Sequence, residues 1–141
     1  MRDRTAKAQL IAAAESYAKV SPFADACYRY YYYEDATCHA KLSACLVDKF
    51  AQHLQSVPAK YHQAVIDTAL TELSYPSKRP DRPAFCAKER AVCMGVSRRQ
   101  YYRIGVHDAI DDIISHITAI ALDVAYRVRQ QLGKRKCEYG Y

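Results

Sequence analysis

Ala91-Val92-Cys93-Met94-Gly95-Val96-Ser97-Arg98-Arg99-Gln100-Tyr101-Tyr102-Arg103-Ile104 has the residue order of two helices meeting at a tight turn. A small side chain, Ala91, lets the second helix cross the first closely, and four residues later Gly95 tolerates the positive φ that the turn requires. Val96 can plug the turn into a core, and the Ser97 hydroxyl can cap the next helix. Tyr101 and Ile104 then recur on the buried side. Arg98, Arg99, Tyr102 and Arg103 fall on the outward face and N-terminal end of the second helix, the part of a helix-turn-helix that enters the major groove. Arginine there can form paired hydrogen bonds to guanine, while Ser97 and nearby backbone N–H groups can hold a phosphate. One position departs from the motif. The residue before Ala91, usually apolar, is Arg90, so the first helix must pack through Phe85, Ala87, Ala91 and Met94.

Charge placement points the same way. Between Lys78 and Arg103 there are eight cations and two acids, a surplus of six that equals the +6 of the whole 141-residue chain. The rest of the protein is neutral on balance, so the basic character is concentrated in one segment, as expected of a nucleic-acid face. The phosphate-contacting residues expected there are Ser97, Lys88, Arg90, Lys78, Arg79 and Arg82. Asp108, Asp111 and Asp112 reverse the sign immediately downstream and mark where that face should stop.

Upstream, Tyr75-Pro76-Ser77-Lys78-Arg79-Pro80-Asp81-Arg82-Pro83 holds three prolines and three cations in nine residues, and no helix crosses it. Before this boundary the apolar spacing predicts helices over about Thr5–Val20, Phe23–Tyr33, Cys38–Gln55 and Ala59–Leu73, with Asp35 or Thr37 capping the third. After the motif, Val106, Ile110, Ile113, Ile117, Ile120, Val124 and Val128 continue the helix capped by Ser97, which need not stop before Gly133, although Gly105 could divide it. Ile110, Ile117 and Val124 are seven apart, as are Val106, Ile113 and Ile120. That spacing suits either burial against the N-terminal helices, the preferred reading, or a homodimer seam along residues 106–128. The reading is therefore all-α: an N-terminal helical bundle (1–75), a Pro-rich basic linker (76–83), a helix-turn-helix with a long helix (84–133) and a loose basic tail (134–141).

The segment Met94 to Arg103, followed by the Ile-rich helix containing Ala109, resembles the C-terminal helix-turn-helix of phage late-gene regulators. These are the Q-type antiterminators and the related ArpU-like regulators, whose motif is similar to region 4 of sigma factors. The resemblance covers about residues 84 to 125. It implies a small phage or prophage protein in a bacterial host that binds double-stranded DNA near a late promoter, engages RNA polymerase and promotes read-through of terminators. Residues 1–75 carry no such likeness.

Other function classes have less support. The chain is 50% hydrophobic and 26% charged, ordinary for a folded domain, and its most apolar stretch, Ile113 to Ala125, contains His116 and Asp123 and is too short for a bilayer span. A cytoplasmic protein is expected, with six reduced cysteines and no cofactor. Cys27, Cys38, His39 and Cys45 are a weak zinc candidate, because no Cys-x(2–4)-Cys knuckle is present and buried cysteines acting as small apolar residues account for them. The run Tyr28-Arg29-Tyr30-Tyr31-Tyr32-Tyr33 could instead anchor a protein partner or stack on unpaired bases, giving an alternative reading as an interaction module or single-strand or RNA binder. Around that run Cys27, Tyr30 and Tyr31 are expected to face inward. Catalysis lacks a basis: Asp111 and Asp112 diverge on a helix, and His107 and His116 have no nucleophile beside them. The chain is read as a non-enzyme.

Overall fold

The structure, a computed structural model, describes residues 21–33, 35–75 and 83–138, with side chains described up to residue 132. The helix expected over Thr5–Val20 and the linker cations Lys78, Arg79 and Arg82 lie outside the described residues. Among the described residues there are six α-helices: α1 (Pro22–Tyr33), α2 (Ala36–Lys49), α3 (His62–Leu73), α4 (Ala87–Met94), α5 (Arg98–Ile104) and α6 (His107–Glu138), with a 3-10 turn at Ala59–Tyr61 before α3. Among the described residues there is no strand, and the all-α reading stands.

Local chemistry sets the boundaries. Asp35 caps α2 by accepting the Thr37 N–H at 2.9 Å. The helix stops at Lys49 rather than reaching Gln55, because consecutive turns carry Phe50, Leu54 and Val57 inward instead. Gly95 and Gly105 both adopt φ +74, each ending a helix in the left-handed conformation that glycine enters without penalty. Gly105 thus separates α5 from α6. The latter runs 32 residues to Glu138, so the backbone of 134–138 continues a helix where a loose tail was expected.

α6 is the element around which the rest is packed. It lies against α1 and α3, while α2 packs on both α1 and α3. Val106, Ile110, Ile113, Ile117, Val124 and Val128 are all buried within the chain. Each such side chain contributes about 1.5–3 kcal/mol by leaving water. Of the heptad-spaced residues only Ile120 is half-buried, so the set is used mainly in intramolecular packing, the preferred of the two readings. Among the described residues, the large apolar side chains that α6 leaves exposed are Leu122 and Tyr126, on another face. No described helix is long and apolar enough to cross a membrane.

One hydrophobic core joins residues from both sides of the Pro-rich segment: Leu42, Leu46, Val65, Ile66 and Leu70 with Ala91, Met94, Tyr101, Ile110 and Ile113. The helix-turn-helix is therefore built onto the N-terminal helices and not tethered to them as a separate unit. Proline breaks a helix, but it does not dictate whether the flanking helices share a core.

Candidate nucleic-acid interface

The turn between α4 and α5 is built as its residues require. Ala91 is buried at the crossing, Val96 is half-buried, and the Ser97 hydroxyl accepts the Gln100 N–H at 3.0 Å. Tyr101 is fully buried and faces the core. Arg98, Arg99, Tyr102 and Arg103 are all exposed on α5, with Tyr102 58% accessible, and Lys88 and Ser97 are exposed beside them. Among the described residues, none of these arginines is engaged in an ion pair. The face keeps its cations unneutralised.

Arg90 is the exception. Its side chain is 0% exposed, so it does not contact phosphate as the charge count alone suggested. It occupies the motif's apolar position and is held there by acids. Its Nε donates to Glu72 Oε1 at 2.7 Å and its Nη2 to Glu72 Oε2 at 3.1 Å, a bidentate pair, while Nη2 also donates to Asp111 Oδ1 at 2.7 Å. Burial alone would lower the guanidinium's pKa; the hydrogen bonds with Glu72, Tyr101 and Asp111 outweigh it, and the net shift is upward. Nη1 lies 3.3 Å from His107 Nδ1, and the Tyr101 hydroxyl lies 2.7 Å from the same nitrogen. Since guanidinium can only donate, Nδ1 accepts and the ring proton belongs on Nε2, which faces Asp111 Oδ2 at 3.4 Å.

This network ties α3, α4, α5 and α6 together directly behind the exposed face of α5. Asp111, read from the sequence as the edge of the basic patch, is in fact a partner of Arg90. The clue lay in Arg90 itself, because a cation at a position reserved for an apolar side chain calls for buried acids nearby. A second tie was not legible at all: Gln100 Nε2 donates to the Tyr61 hydroxyl at 3.2 Å, joining α5 to the 3-10 turn.

The remaining candidates look different in three dimensions. Within the tyrosine run Tyr28 and Tyr30 are buried, Tyr31 and Tyr33 are half-buried, and only Tyr32 is well exposed. Tyr28, not Tyr31, joins Tyr30 inside, because α1 is covered on two sides. Tyr28 packs with Val124, Ala125 and Val128 of α6, and the Tyr30 hydroxyl donates to the Leu70 carbonyl within the main core. Few aromatic faces remain for stacking on bases. As for zinc, Cys27 and Cys38 are buried and the His39 ring lies 5.6 Å from that of Tyr30. Desolvation, reinforced by Cys45, pushes the Cys27 thiol up to about 12. Among the described residues no group of three His, Cys, Asp or Glu side chains is placed to hold a metal ion.

Comparison with protein-family models, curated proteins and solved structures finds no match to this chain.

Proposed function

We propose that this protein binds double-stranded DNA sequence-specifically and acts in transcription control, with Arg98 and Arg99 of α5, joined by Tyr102, reading base edges in the major groove. The observation that carries this reading is the pairing of a left-handed Gly95 and a Ser97 cap with a short helix whose buried side is Tyr101 and whose outward side is wholly cationic and aromatic. Lys88 and Ser97 flank that helix as phosphate contacts. Within this class, the resemblance of Met94 to Arg103 to phage late-gene regulators favours antitermination together with RNA polymerase.

Selection from a randomised duplex library at two salt concentrations tests the reading. Enrichment of one motif is expected, and Arg99→Ala should weaken that motif by about 1–3 kcal/mol while leaving random duplex nearly unaffected. Uniform binding that vanishes with salt would reduce the basic face to counterion release and end the proposal. If a motif emerges, its position relative to late promoters then tests antitermination.

A further inference from the structure

Between the 3-10 turn and the C-terminal end of α5 lies a cleft of about 270 Å³ whose lining includes Ser56, Lys60, Tyr61, Gln100 and Arg103. Among the described residues no carboxylate lines it. Lys60 and Arg103 are both exposed, and among the described residues neither forms an ion pair. The Lys60 ammonium sits 5.1 Å from the centre of the Tyr61 ring. The Tyr61 hydroxyl accepts from Gln100 and so keeps its own proton to donate. Two cations and two hydroxyl groups thus line one cleft, with no described carboxylate among them.

We propose that this cleft is a phosphate subsite that holds one backbone phosphodiester of a bound duplex, with Lys60 and Arg103 supplying charge and Ser56 and Tyr61 supplying hydroxyl donors. The inference rests on the DNA-binding reading above and sharpens it. A phosphodiester offers one negative charge and acceptor oxygens only, which matches a site made of donors. The cleft is at the opposite end of α5 from Arg98 and Arg99, so an anchored strand there would fix how far α5 sits in the groove. Arg103, expected from the sequence to read a base, is reassigned to the backbone. Lys60 enters the interface from a part of the chain where the sequence showed no basic cluster, because the Tyr61–Gln100 hydrogen bond holds its turn against α5.

The test has two arms on the full chain. In the first, inorganic phosphate is titrated into the protein and backbone amide signals are followed by NMR. Shifts at Ser56, Lys60, Tyr61 and Arg103 are expected, and they should be lost in Lys60→Gln and Arg103→Gln. In the second, the affinities of wild type and both variants for a cognate and a scrambled duplex are measured between about 50 and 200 mM salt. Each variant should weaken both duplexes by the same factor, and the affinity lost over that fourfold salt range should shrink by about 3.5-fold per cation removed. Unchanged salt dependence in Lys60→Gln, or an Arg103→Gln loss confined to the cognate duplex, overturns the subsite even if wild type reads DNA. Phosphate shifts without duplex binding by wild type would overturn the backbone role and the DNA reading together, leaving only an anion site. The absence of phosphate shifts overturns the subsite alone.

Discussion

Replacing Arg90 with methionine removes a guanidinium that neutralises a carboxylate the fold has already buried. Glu72 is 3% exposed and Arg90 0%, whereas the Asp111 side chain is 45% exposed and can return to water. The cost therefore falls on Glu72, left charged and unpaired in the core. Breaking a buried pair from one side costs about 3–5 kcal/mol, a large share of the roughly 5–15 kcal/mol that holds a domain folded. For a chain of this length that corresponds to a fall in melting temperature of roughly 10–20 °C. Urea unfolding followed by circular dichroism reads it directly. The double variant Glu72→Leu/Arg90→Met leaves no buried charge, and its stability should return to within about 1–2 kcal/mol of wild type. Because Arg90 is enclosed, folded Arg90→Met should also keep the wild-type salt dependence of DNA affinity. The reasoning is refuted if the single variant is within about 1 kcal/mol of wild type, or if the double variant is no more stable than the single one.

Three further outcomes follow from the geometry. Alanine at Gly95 or Gly105 should cost about 1–2 kcal/mol each in thermal unfolding, purely from the left-handed backbone, since a Cβ at either position meets nothing within 4 Å. Native thiol labelling read by peptide mass spectrometry should modify the exposed Cys86 and Cys93 quickly, while Cys27 and Cys38 react only on unfolding; fast labelling of Cys27 would contradict its burial and raised pKa. Asp35 has its pKa lowered, chiefly by the Thr37 backbone N–H, so its ionised form stabilises the fold. That contribution is complete above the unfolded value near pH ~4 and disappears as pH falls through the depressed folded value. Asp35→Asn keeps a cap acceptor without the titration, so the stability gap between it and wild type should shrink on acidification.

What could be read in the sequence was what depends on neighbours in sequence. Gly95, Ser97 and the spacing of Ala91, Tyr101 and Ile104 specify the helix-turn-helix because a turn and a cap are decided within a few residues. Partners distant in the chain are another matter. Nothing adjacent to Tyr28 announces that the far half of α6 will cover it, so the choice between Tyr28 and Tyr31 depends on packing that a helical wheel does not contain. The Pro-rich stretch was read as a divider because proline's effect on a helix is local, whereas the shared core of Leu70 with Ile110 and Ile113 is not. Arg90 stood between these cases: its misfit with the motif was visible, but Glu72 as its partner was not. Lys60 carried no signal, since one lysine beside a proline is ordinary until α5 is placed against it.

The ties behind α5 have a thermodynamic corollary. With Arg90 joining four helices and Tyr61 bonded to Gln100, the position of α5, proposed to meet a duplex, is set within the folded chain. Association then need not fold a recognition helix or immobilise a swinging head. Its heat-capacity change should reflect only the area covered, without the much larger excess that accompanies coupled folding. If α5 reads DNA as proposed, selectivity comes from mismatch, because a wrong sequence meets a recognition helix whose position is set by bonds to its neighbours.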